Sequence, residues 1–349
     1  MILLALCAIE MGMRYSDRPH GVISGWRATG ATGPVNEFGF RGRPARSLRF
    51  TDFVVILTGA GAVECLACPP DETLDLMLER TLRRYNPNVH VITLGGAGYG
   101  QDQEYLALHE FLAYQHADLV VNWASIANDV PANTFRFGQP RPGKAVPKPT
   151  FALFGGDSAG PTEGLGDPIY KTKLTTLLRP LFIDLDRNWT TLLPRADAGG
   201  TSPPPGAETQ SHVDAALEQQ RTDWSIWLTP RPARVQYGIA LTRALLGHMR
   251  DLSTLRGARF AILLTPPQAG SRTDATIALE HDGHWFLADP ATRDAAVAEV
   301  TNGFDTITLP AEGGPSTSLE AERQMMARLA DALNQRELLT RVVTERVRH

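Results

Sequence analysis

The chain has 349 residues, 43% of them hydrophobic and 21% charged, with a net charge of −4 and a pI near 6.2. That length suits about two domains, or one large α/β domain with insertions, in an ordinary globular chain. The acidic balance and the scattering of the arginines argue against a nucleic-acid surface, and three cysteines are too few for a disulfide framework.

The first residues, Met1 to Ile9, are apolar but too few to span a bilayer, which takes roughly 20 residues. No basic segment precedes them, as a signal peptide would require. They read either as the tail of a truncated membrane anchor or as a short helix packed on the domain. Membrane association is expected only in the first case. The rest reads as soluble, with the cytoplasm favoured over an extracytoplasmic compartment.

Apolar, β-rich runs at 53–58, 89–94, 118–124, 259–265 and 304–309 read as buried parallel strands. Helical patterns separate them. The first runs from Asp71 to Tyr85 after Pro69-Pro70, and the second from Gln101 to Gln115. Arg234 to Leu255, Asp289 to Val300 and Ser318 to Leu339 follow. Such alternation predicts a doubly wound parallel sheet of the three-layer α/β/α kind. Residues 139–168 and 195–209, rich in Pro and Gly, break the rhythm, with a helical stretch at Tyr170 to Arg179 between them. The expected organisation is a lead-in over 1–50 and an α/β domain over 51–349, with a cap or lid inserted at about 131–230.

In an open α/β sheet ligands bind beyond the carboxyl ends of the strands. Three segments occupy such positions. Gly59-Ala60-Gly61 follows the first strand, Gly95-Gly96-Ala97-Gly98 the second, and Ser125-Ile126-Ala127-Asn128-Asp129 the third. With the upstream Asn36-Glu37-Phe38-Gly39-Phe40-Arg41-Gly42, they resemble the SGNH (GDSL-type) hydrolases, in particular a bacterial branch that opens on such an Asn-x-x-Gly-Phe-Arg-Gly segment. The likeness covers about 36–130 well and the last strand and helix loosely.

The resemblance implies a serine at position 61, an oxyanion-binding glycine at Gly98 and an oxyanion-binding asparagine at Asn128. Where the family has Gly-Asp-Ser, this chain has Gly59-Ala60-Gly61. The family's Asp-x-x-His before the last helix falls on Leu309 to Ser316, where Ala311 and Gly314 take the acid and base positions. A shift of one residue offers Glu312 but still no histidine. Nucleophile and base are both missing, so the triad is degenerate and family esterase chemistry is not expected.

Other residues are candidate substitutes. Gly156-Asp157-Ser158 spells the family triplet, yet it follows Asn128 instead of preceding Gly98 and reads as a turn. His281-Asp282-Gly283-His284 could bind a metal or move protons, but it precedes a further helix and strand and reads better as a solvated turn. Glu64 and Cys65 lie just past Gly61 and could project into the same crevice, although no neighbour supplies a base for Cys65. Asp129 reads as a cap for the following turn. Cys65-x-x-Cys68 could be a redox or metal pair, but it lacks the further ligands zinc requires and reads as two small apolar thiols beside a helix start.

The function that follows is a hydrolase-like protein that does not hydrolyse, binding an acyl-, sugar- or anion-bearing small molecule as an accessory component. A first alternative is a repurposed enzyme of polysaccharide or natural-product assembly that uses Glu64, Cys65, Asp129 or the histidines, with a metal there as the one conceivable cofactor. A second is an active serine esterase or acyltransferase that uses Ser158 or Ser125.

Overall fold

The computed structural model describes residues 5–9, 11, 35–134, 137–141, 144–147, 151, 153, 199–210, 223–265, 276–281, 283–309 and 318–341. Its centre is a five-stranded sheet. In chain order the strands of the molecule are β1 (Phe53–Gly59), β2 (Val89–Gly95), β3 (Leu119–Ala124), β4 (Phe137–Arg141), β5 (Lys144–Pro147), β6 (Glu208–Gln210), β7 (Leu228–Thr229), β8 (Arg259–Leu264), β9 (Ile277–His281), β10 (His284–Ala288) and β11 (Thr306–Thr308). The helices are α1 (Gly61–Glu64), α2 (Leu74–Leu82), α3 (Gln101–Tyr114), α4 (Ile126–Thr134), α5 (Ala233–Leu255), α6 (Pro290–Thr301) and α7 (Leu319–Gln335).

The central sheet has the order β11-β8-β3-β1-β2 and every pairing in it is parallel. Its strands are apolar on both faces because helices cover both, which is the condition for an all-parallel sheet. Val55, Leu57, Val91, Val121 and Leu263 face α2 and α7, through Leu78, Leu82, Leu329 and Leu333. Val54, Ile56, Ile92, Val120 and Ile262 face the other way, into a core shared with α3, α4, α5 and α6. The arrangement is three-layer α/β/α. All five predicted strands and five of the six predicted helical stretches form within a few residues of their expected bounds.

Several elements were not anticipated. A second sheet, ordered β6-β9-β10-β7, adds Ile277, Leu279, Phe286 and Ala288 to the larger core. In its hairpin β9–β10 His281 pairs with His284, and Gly283 before β10 has φ 75°. An Asp-Gly pair between apolar runs is a strong short-range hairpin signal, and the segment read as a solvated turn is the tip of that hairpin. The Pro- and Gly-rich stretch contains the hairpin β4–β5, and the loop expected at 195–209 ends in β6, which pairs with β9. The stretch Tyr170 to Arg179 lies outside the described residues.

Residues 5–9 are helical and exposed, with Leu6, Cys7 and Ile9 all open to solvent, so this turn does not pack on the domain as one expectation had it. Among the described residues no helix is long and apolar enough to cross a membrane.

Candidate functional site

The strand order reverses direction at β1, which has β2 on one side and β3 on the other. The chain therefore leaves the carboxyl ends of β1 and β3 towards different sides, and the crevice between such loops is where open α/β sheets bind ligands. Gly59 is in register with Gly95 and with Trp123, so the three loops that follow start at one level. Gly61, Gly98 and Asn128 thus lie on neighbouring loops at the same edge of the sheet.

Close packing sets the first two loops. A Cβ on Gly59 would lie 2.5 Å from Val63 Cγ2, and one on Gly95 would lie 2.6 Å from Val63 Cβ and 2.8 Å from the Gly59 carbonyl oxygen. Paired across the ladder, these glycines let Val63 of α1 settle directly onto the sheet. Gly61 is different. A Cβ there would meet only Ala97, at 3.4 Å from Cα and 3.7 Å from Cβ, both ordinary contacts. The position has room for a side chain and has none. Gly98, at φ 75°, turns the second loop through a conformation that disfavours other residues.

The lead-in holds these loops from below. The Asn36 side-chain oxygen accepts from the Phe38 and Phe40 N–H groups at 3.0 and 3.1 Å, and the amide reaches the Thr93 carbonyl of β2. That tight turn aims Arg41, which is buried, into the loop after α1. Its guanidinium donates to the carbonyls of Glu64, Cys65 and Cys68. Burial pulls its pKa below the usual arginine range, opposed by the charges of the Glu64 and Asp75 carboxylates. The Asn-x-x-Gly-Phe-Arg-Gly segment is therefore a clamp on the first crevice loop.

Glu64 closes α1 and is buried. One carboxylate oxygen accepts the Ala97 N–H at 2.8 Å, tying the first loop to the second. Burial raises its pKa, opposed by that hydrogen bond and by Arg41. Cys65 is not a free thiol: it forms a disulfide with Cys68. Their Cα atoms are 5.4 Å apart, inside the span a disulfide bridges. This corrects both the reading of the pair as unpaired apolar thiols and the candidacy of Cys65 as a nucleophile.

On the third loop Asn128 is exposed and its amide donates to Ser125 Oγ at 2.9 Å. Asp129 is buried, and its carboxylate accepts the Ser125 N–H at 2.7 Å. It holds the start of α4, much as the capping role expected, and so fixes how Asn128 is presented.

Beneath this loop lies a polar layer that sequence reasoning missed. The first turn of α3 (Gln101, Asp102, Gln103, Glu104) is fully buried, with Glu104 against Thr58 of β1 and Asn122 of β3. Glu104 Oε2 accepts from Asn122 Nδ2 at 2.5 Å and from Thr58 Oγ1 at 3.4 Å. The Gln101 amide donates to Asp129 at 2.5 Å, and Asn133 donates to Gln101 and Thr242. Burial pushes the Glu104 carboxyl well above the usual range, and the charges of Asp129 and Asp102 add to it. The Asn122 and Thr58 hydrogen bonds oppose the shift. Two signals were available: a polar residue within Leu119-Val120-Val121-Asn122-Trp123-Ala124, and Thr58 on the same face one strand away.

The remaining candidates lie elsewhere. His284 and His281 are a cross-strand pair beside the β9–β10 turn, on the second sheet, and Asp282 between them lies outside the described residues. Among the described residues no three His, Cys, Asp or Glu side chains are grouped to hold a metal ion. Ser158, Ala311, Glu312 and Gly314 lie outside the described residues. A scan against models of known protein families and a search of curated proteins found no match to this chain.

Proposed function

We propose that this protein is an SGNH-hydrolase-like chain that has lost hydrolysis and binds a small acyl-, sugar- or anion-bearing molecule in the crevice between β1 and β3. The observation that carries this reading is Gly61. It stands at the end of β1, where family members bear the attacking serine, with space for a side chain and no side chain to attack with. Around it are groups suited to an oxygen-bearing ligand: the Gly98 loop on one side and the exposed Asn128 amide on the other. Supporting the family likeness is the order in which the lead-in and the three loops come along the chain and meet at one sheet edge.

The test is a thermal-shift and calorimetric screen with acetate, inorganic phosphate and O-acetylated sugars, repeated on Asn128→Ala. Loss of a hydrogen bond to a charged oxygen costs about 1.5–3 kcal/mol, so the variant should bind about ten- to a hundredfold more weakly. Equal affinities would remove Asn128 from the site. A second reading, a repurposed enzyme, is favoured by Glu64, a buried carboxyl with a raised pKa bonded to the second crevice loop, since such groups cluster where acid–base chemistry is done. Turnover of an acylated substrate that survives in the wild type and vanishes in Glu64→Gln would favour it over binding alone.

A further inference from the structure

The Cys65–Cys68 disulfide closes the loop that leaves α1, and its two sulfurs stand in unequal surroundings. Cys65 is half-buried, next to Leu66 and Ala67, which are exposed. Cys68 is only 4% exposed and sits in the core with Leu74 and Met77. Cys65 holds a left-handed backbone, φ 42°, a conformation costly for any residue with a side chain. Beneath the ring, the buried Arg41 guanidinium donates to the carbonyls of both cysteines, fixing a positive charge against it.

We propose that Cys65–Cys68 is a thiol–disulfide exchange site, opened by a dithiol reductant through attack at Cys65. The reductant's thiolate bonds to Cys65 Sγ, the Cys65–Cys68 bond breaks, and Cys68 leaves as a thiolate with the bonding electron pair. The reductant's second thiolate then attacks its own sulfur in the mixed disulfide, and Cys65 leaves as a thiolate. Both cysteines take protons from solvent. Two electrons pass to the protein, and the reductant ends as a disulfide. Access selects Cys65 as the sulfur attacked, because the core encloses Cys68.

The experiment uses the full chain with the exposed Cys7 replaced, Cys7→Ser, so that only this pair reports. After oxidation with oxidised glutathione, dithiothreitol reduction is followed by trapping with a maleimide-bearing polymer and gel mobility. The folded protein should be reduced within about a hundredfold of the rate for the same protein in guanidinium, because an accessible disulfide keeps its reactivity in the fold. A slower rate than that, or failure of the pair to form under oxidised glutathione, overturns the proposal. In single-cysteine variants, Cys65 (in Cys68→Ser) should react with 5,5′-dithiobis(2-nitrobenzoate) at least about tenfold faster than Cys68 (in Cys65→Ser), and equal or reversed rates overturn the assignment of the attacked sulfur. The first arm leaves both cysteines in place and stands whether or not those variants fold.

Discussion

Two buried charged residues govern the crevice from beneath. Arg41 spends its guanidinium on three carbonyls of a single loop, flanked by Glu64 and Asp75. Removing it leaves the Glu64 and Cys68 carbonyls without that donor and the buried Glu64 carboxylate without its counter-charge. Arg41→Met should therefore destabilise the protein by about 3–5 kcal/mol, as loss of one partner from a buried ionic site does, read from urea denaturation. A change below about 1 kcal/mol would mean the clamp is dispensable. Glu104 behaves oppositely. Its pKa is raised in the fold, so as pH climbs above the ordinary glutamate range the unfolded chain gives up a proton that the folded protein retains. Stability should fall with rising pH across that window, up to the folded pKa. Glu104→Gln keeps an acceptor for Asn122 and Thr58 and carries no ionisable group. The variant should gain stability at neutral pH and lose much of the slope between pH 5 and pH 8, compared by denaturation at both. An unchanged slope would assign the titration to another group.

The loops between strands and helices divide into those that packing dictates and one that it leaves free. Val63 rests on Gly59 and Gly95, where an added methyl group meets it at 2.5 and 2.6 Å, and at Gly95 it also meets backbone. Gly95→Ala should cost about 1–3 kcal/mol through overpacking. Gly61→Ser, by contrast, places its Cβ at ordinary contact distance from Ala97 and should change stability by less than about 1 kcal/mol. Melting temperatures of the two variants give the comparison, and a Gly61→Ser variant as unstable as Gly95→Ala would show that the loop is closed to side chains. The asymmetry bears on function, because of the three glycines only Gly61 has space to spare beside the crevice. The polar layer belongs to the same scale. Its members come from β1, β3, α3, α4 and α5, and the side chains meet only because those elements pack together.

Taken whole, the molecule brings the Gly61, Gly98 and Asn128 loops to one edge of a parallel sheet, and under the proposed function nothing there attacks an acyl group. It should show negligible turnover of p-nitrophenyl acetate and no labelling by a fluorophosphonate probe. A single oxyanion donor is worth about 10²–10³ in rate, so a cradle lacking a nucleophile offers little. Robust esterase activity abolished by Ser158→Ala or Ser125→Ala would overturn the proposed loss of hydrolysis.

Much of this was legible along the chain. Buried parallel strands are continuous apolar runs and amphipathic helices repeat their apolar positions, so local pattern alone determined β1, β2, β3, β8, β11 and the longer helices. The short glycine segments after β1 and β2 and the asparagine after β3 could be placed at strand ends for the same reason. What local pattern could not carry was decided by packing between distant segments. The strands β9 and β10 are short, and in sequence only the turn between them stands out. Gln101 to Glu104 look like an exposed polar first turn, yet Thr58 and Asn122 hold Glu104 inside with hydrogen bonds from strands 46 and 18 positions away, in a sequence that gives no hint of the pairing. The partner of Cys65 was within view at a spacing of three, but only the backbone turn after α1 brings the two Cα atoms to bonding range. Arg41 could be read as part of a motif. Its task, holding three carbonyls of one loop, exists only once the lead-in is folded beneath β1 and β2.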